Sequence, residues 1–169
     1  MLAQTTNYCN LIPETESRRT LSTRCLLTCW NVTYMRIEHV ALWTSDLDRS
    51  KEFYSKFFGA TSCPKYVNSI KKLETFFLSF DSGARLEIMR KPNLASCPND
   101  NQTSGWTHVA LVVGTTEAVD RKAASLQKEG WLKEQPRWTG DGYYEAVAVD
   151  PDGNRIEIMA DERRLPTQT

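Results

Sequence analysis

Glycine is scarce in this chain, with only eight residues, and neither strand-to-helix junction carries a glycine-rich phosphate loop. His39-Val40-Ala41-Leu42-Trp43-Thr44 leads into Asp46 with no glycine at all, which removes support for nucleotide binding. Net charge is equally absent. Twenty-one basic side chains balance 21 acidic ones, leaving no electrostatic footprint for nucleic acid or an anionic membrane. No apolar run approaches the 18 residues of a membrane-spanning helix. The five cysteines, Cys9, Cys25, Cys29, Cys63 and Cys97, are odd in number and lack a framework spacing. A disulfide scaffold is thereby disfavoured, and a reducing, cytoplasmic compartment is expected. Cys25 and Cys29 have no nearby metal-binding companions and read as incidental. What remains is an ordinary soluble globular chain of 169 residues, enough for one domain or two small repeated modules.

Residues 1–34 show neither helical nor strand periodicity. Arg18-Arg19 hints at an export signal, but Arg24 breaks the apolar stretch that would have to follow. The segment reads as a disordered extension, and Met35 sits where an initiator would naturally fall.

Beyond it the chain repeats itself. His39-Val40-Ala41-Leu42 recurs as His108-Val109-Ala110-Leu111, and Gly83-Ala84-Arg85-Leu86-Glu87-Ile88-Met89 recurs as Gly153-Asn154-Arg155-Ile156-Glu157-Ile158-Met159. The two offsets, 69 and 70 residues, differ by one, so the halves align almost without gaps. Each half reads as strand, helix and three strands. In the first, a strand at 36–43 precedes a helix bearing Leu47, Phe53, Tyr54, Phe57 and Phe58, closed by Gly59. Ser45-Asp46-Leu47-Asp48 resembles a capping box with Asp for the usual Glu. Strands are predicted near 61–67, 73–80 and 84–90. In the second, the predicted order is a strand at 106–113, a helix at 116–129 and strands near 131–138, 143–149 and 154–159. The modules thus occupy about 35–90 and 106–160, joined by a linker at 91–105 and followed by a polar tail at 161–169. The expected class is α+β, with two tandem βαβββ modules forming a curved mixed sheet around a metal-containing cavity.

The repeat also places chemistry. The only two histidines, His39 and His108, stand at equivalent positions, as do Glu87 and Glu157 within otherwise apolar strands. Strand alternation puts Leu86 and Ile88, or Ile156 and Ile158, on a core face. Arg85, Glu87 and Met89, or Arg155, Glu157 and Met159, fall on the other. Two imidazoles and two carboxylates suit one divalent cation such as Ni, Zn, Co, Mn or Fe, with positions left for water or substrate. A structural role, with each glutamate simply paired to Arg85 or Arg155, is the competing interpretation. A Ser–His–Asp or Cys–His triad is disfavoured because both histidines already serve as candidate ligands.

These motifs, with the opening HVAL…DLDRSKEFYSKFFGA and the ending DPDGNRIEIM, resemble the vicinal oxygen chelate superfamily over about residues 35–160. That superfamily includes glyoxalase I, extradiol dioxygenases, methylmalonyl-CoA epimerase and bleomycin-binding proteins. The set His39, Glu87, His108 and Glu157 is similar to that of bacterial glyoxalase I. The resemblance implies proton transfer through an enediolate on a thiol adduct of a 2-oxoaldehyde, such as a glutathione hemithioacetal. It also implies one divalent metal per site, a homodimer, Glu157 as first choice of base and Glu87 as second. The chain departs from glyoxalase I at Trp43, where an arginine usually stands, and at Lys91, where the bacterial enzyme has asparagine. Trp43 is expected either to pack or to line an apolar substrate pocket. Met89, Lys91, Arg85 and Arg155 join it as candidate substrate contacts. An acyl-CoA epimerase on the same metal site, or a protein sequestering a small toxic compound, are the alternatives. A sequestering pocket needs shape and aromatics rather than four convergent donors.

Overall fold

Alternating apolar residues and two amphipathic helices build one module twice. The computed structural model describes residues 35–95 and 104–164, and, Met35 apart, these belong to a single compact unit, Arg36–Thr169. The expectations for residues 1–34, most of the linker and the end of the tail lie outside the described residues. In the first module β1 (His39–Trp43) is followed by α1 (Leu47–Phe58), β2 (Thr61–Ser62), β3 (Tyr66–Asn68), β4 (Leu73–Ser79) and β5 (Arg85–Arg90). In the second, β6 (Val109–Gly114) leads to α2 (Thr116–Lys128), β7 (Leu132–Trp138), β8 (Tyr143–Val149) and β9 (Arg155–Arg163). The α+β class and the tandem modules are as expected. The mixed strands form two curved sheets, one per module, ordered β1-β5-β4-β2 and β6-β9-β8-β7, with β3 also on β4.

In each sheet the first strand lies parallel to the last. Ala41 pairs with Glu87 and Trp43 with Met89, while Ala110 pairs with Glu157 and Val112 with Met159. Paired residues share a face, so the repeat seen in sequence becomes a repeat of surface. The opposite face is core: Leu86, Ile88, Ile156 and Ile158 are buried beneath the helices, with Phe53, Tyr54 and Phe57 of α1 and Val119, Ala123 and Leu126 of α2.

Three local differences from the sequence reading have physical causes. The strand predicted near 61–67 is split into β2 and β3 around Pro64, which has no N–H to donate to a ladder. The capping residue of α1 is Asp46, not Ser45; its carboxylate accepts from the Arg49 N–H at 3.1 Å. Ser45 is engaged elsewhere, its N–H and hydroxyl both donating to Asp152. Finally, β9 runs on to Arg163, beyond where the polar tail was expected to begin. Arg163 lies 4.5 Å over the Tyr143 ring and Arg164 3.6 Å over Trp138, contacts that hold this end against β7 and β8.

The modules meet through a polar and an aromatic seam. Asp152, in the turn before β9, accepts from Thr44 at 2.5 Å, the Ser45 N–H at 2.9 Å and Ser50 at 3.3 Å, all at the start of α1. Tyr54 donates to Asp150 at 3.1 Å. Phe53 meets Trp131 edge to face at 5.5 Å, and Lys122 of α2 donates to the Phe57 carbonyl at the end of α1.

Candidate functional site

The face of each sheet turned away from the helices carries one histidine and one glutamate. In the first module His39 Nε2 lies 3.7 Å from Glu87 Oε2; in the second, His108 Nδ1 lies 3.2 Å from Glu157 Oε1. The glutamates are the more enclosed partners, 14 % and 18 % exposed against 41 % and 36 % for the histidines. Two ligands each about 2.1 Å from one divalent ion stand roughly 3.0–3.4 Å apart; the second pair falls in that range and the first lies slightly beyond it. In donor chemistry each pair fits half of a metal site.

The four do not come together within the chain. Among the described residues no group of three or more His, Cys, Asp or Glu is placed to hold a metal ion. Each pair instead sits on an open surface. Trp43 is 45 % exposed rather than packed in the core, and its repeat counterpart Val112 is 60 % exposed. Both share the face of their glutamate. A cavity of about 390 Å³ between the modules is lined by residues such as Val40, Tyr54, Phe58, Leu111 and Val113, and by none of the four.

The surroundings of the two histidines differ. Glu38 Oε2 accepts a hydrogen bond from His39 Nδ1 at 2.6 Å, and its other oxygen accepts from the Arg85 Nε at 2.8 Å. The hydrogen bond from His39 and the Arg85 charge hold the Glu38 carboxyl below the usual carboxylate range, against a smaller opposing effect of burial. Arg85 also lies 4.3 Å over the Phe77 ring, which His39 meets edge to face at 5.3 Å. In the second module Thr107 takes the place of Glu38, its hydroxyl 3.2 Å from His108 Nδ1. Arg155 donates instead to Glu134 at 2.6 Å, and that hydrogen bond keeps the Glu134 carboxyl low despite partial burial. Both arginines proposed for anion contact are thus engaged by carboxylates of their own module. Lys91 reaches across the Trp43 ring at 4.8 Å, and Met89 is paired beside Trp43.

One residue of this face escaped the sequence reading. Glu145 on β8 is only 7 % exposed and pairs with Met159, on the side of Glu157. Burial, reinforced by the charge of Glu157, pushes its carboxyl above the usual range, although Arg137 at 3.4 Å pulls it back. Its signal was available: Tyr-Tyr-Glu-Ala-Val-Ala-Val holds one acid in an otherwise apolar strand, as do the segments around Glu87 and Glu157.

With this geometry established, comparison with known proteins gives a consistent result. Residues 36–158 match the family model described as Glyoxalase/Bleomycin resistance protein/Dioxygenase superfamily. A probable lactoylglutathione lyase of Vibrio cholerae is 26 % identical over 76 % of this chain and 92 % of its own length. An uncharacterized protein of Bacillus subtilis is also 26 % identical, over 73 % of this chain and 98 % of its length. Among solved structures, the trypanothione-dependent glyoxalase I of Leishmania major superposes with a TM-score of 0.63 at 24 % identity, covering 76 % of this chain and 88 % of that one. A domain of this superfamily from Frankia superposes at 0.66 with 17 % identity, over 77 % of this chain and all of that one. These structural likenesses concern the fold.

Proposed function

Since this chain belongs to the glyoxalase/bleomycin resistance protein/dioxygenase superfamily, we propose that it is a divalent-metal-dependent lyase or isomerase of the glyoxalase I type. The observation that carries the reading is the recurrence of one imidazole–carboxylate pair in each module, His39 with Glu87 at 3.7 Å and His108 with Glu157 at 3.2 Å. The similarity to a probable lactoylglutathione lyase supports the same direction. The substrate in this reading is a thiol adduct of a 2-oxoaldehyde, such as the glutathione hemithioacetal of methylglyoxal.

A bound divalent cation would supply Lewis-acid stabilisation of the negative charge that develops on substrate oxygen when a proton leaves carbon. The chain's own work is to move that proton. Glu157 takes it from the carbon bearing sulfur and returns it to the neighbouring carbon, with Glu87 the second choice for this role. Both carboxylates are mostly enclosed yet reachable from the open face, as a base needs to be. Trp43 and Met89 offer an apolar surface beside Glu87, and Lys91 offers a cation at its end for an anionic substrate group. Arg85 and Arg155 contribute by holding Glu38 and Glu134 in place.

The complete site in this reading is made by two copies of the chain. Each protomer presents two half-sites on open faces, and a symmetric pair would set His39 and Glu87 of one against His108 and Glu157 of the other. Reconstitution with Ni, Co, Mn and Zn, followed by an assay of methylglyoxal–glutathione hemithioacetal isomerisation, tests the function. Turnover is expected in at least one metal form and is expected to vanish in Glu157→Gln. Stoichiometric metal without turnover would reject this substrate, and no bound metal would reject the metalloenzyme.

A further inference from the structure

The two modules repeat their ligand candidates but not the groups around them, and that difference carries an inference of its own. His39 is tied into a ring of contacts: Glu38 bridges it to Arg85, Arg85 covers Phe77, and Phe77 meets the imidazole edge-on. The Arg85 backbone N–H also donates to the Glu38 carbonyl at 2.9 Å, tying the two residues through the main chain as well. A carboxylate can only accept, so the 2.6 Å contact requires the hydrogen on Nδ1; in the neutral imidazole Nε2, the nitrogen facing Glu87, is then bare. His108 has no such arrangement. Thr107 can donate or accept, Val147 stands where Phe77 does, and Arg155 is drawn away to Glu134.

We propose that Glu38, clamped by Arg85, is a positioning residue that sets His39 in its Nδ1–H form with Nε2 as the donor, making the first module the preorganised half of the site. The proposal rests on the metal reading above, because a donor nitrogen has use only if something is bound there. It goes beyond that reading in naming a residue outside the four and in making the modules unequal. A carboxylate behind a ligating imidazole fixes its orientation and strengthens it as a donor, and loss of such a partner typically costs about ten- to a hundredfold in metal affinity.

The test uses the full chain without metal and then with Co²⁺ as the probe. Long-range ¹H–¹⁵N NMR in mildly alkaline buffer, where an ordinary imidazole is neutral, reads the form of each histidine. His39 is expected to be Nδ1–H in the wild type and in Glu38→Gln, whose amide oxygen still accepts. In Glu38→Ala it is expected to move towards the Nε2–H form usual for a free imidazole. Co²⁺ affinity, followed by the visible absorption of the bound ion, is expected to fall about ten- to a hundredfold in Glu38→Ala and much less in Glu38→Gln. Glu38 is exposed, so a thermal melt should confirm that Glu38→Ala remains folded. An unchanged His39 signal in Glu38→Ala would overturn the proposal even if the wild type binds Co²⁺ well. Failure of the wild type to bind Co²⁺ would instead sink the metal reading, and the NMR signal alone would then decide the role of Glu38.

Discussion

Asp152 joins the last turn of the second module to the first helix of the first, and much rests on that one carboxylate. It accepts from Thr44, Ser45 and Ser50, and both Thr44 and Ser50 are almost wholly buried. Asp152→Ala would remove the carboxylate these groups share, leaving the buried hydroxyls only each other and the Asp46 carbonyl, and is expected to cost about 1–3 kcal/mol in a denaturant titration. Partial burial opposes the charge on Asp152, but the bonds from Ser45, Thr44 and Ser50 outweigh it and hold its carboxyl below the usual 3.8. A carboxyl lowered by folding stabilises the protein fully above its unfolded value, and this stabilisation disappears as pH falls below it. Stability measured from neutral pH downward should therefore fall more gently in Asp152→Asn than in the wild type once the pH drops below about 4. Gly142 is a second sensitive residue. Its φ of 93° lies in the left-handed region, and an added Cβ would collide with the Arg164 carbonyl. Gly142→Ala is expected to lower stability by about 1 kcal/mol or more and to loosen the end of β9, readable as faster amide exchange at Arg163.

Helices and strands were mostly legible because their signals are local. Leu47, Phe53, Tyr54 and Phe57 share one face of α1 whatever lies beneath, and Gly59 ends the helix at a φ of 68°. The seam they form has a testable weight: Phe53→Ala removes a ring buried against Trp131 and its own helix, and is expected to cost about 3–5 kcal/mol by chemical denaturation. What was not legible depended on distant partners. Ser45 resembled a capping residue because nothing in its neighbourhood reveals that Asp152, 107 positions away, claims its hydroxyl. The polar run after Met159 resembled a tail because its cations find Tyr143 and Trp138 only after the chain has turned back. The break at Pro64 was a local signal and could have been read.

For the whole molecule, the repeat made the histidine–glutamate pairs visible in sequence, since offsets of 69 and 70 residues carry the same strand register into both modules. The inequality of the pairs was not visible, because it lies in Glu38 and Thr107, ordinary residues until a neighbouring strand brings Arg85 to one and not to the other. Nor could sequence tell that the pairs stay apart within one chain, which follows from the helices and the Asp152 turn packing the modules through their core sides. The open faces, with Trp43 and Val112 exposed beside the glutamates, are what a second copy would cover. On this account one complete site draws a His–Glu pair from each of two chains. The direct test is a heterodimer, isolated through two different tags, of one Glu87→Gln chain and one Glu157→Gln chain. Its two substitutions fall in the same site, leaving the other intact, so about half of the wild-type metal binding and hemithioacetal turnover is expected although each parent homodimer has lost both. A heterodimer as inactive and metal-free as its parents, or a wild-type chain that is active and metal-bound as a monomer, would contradict the account.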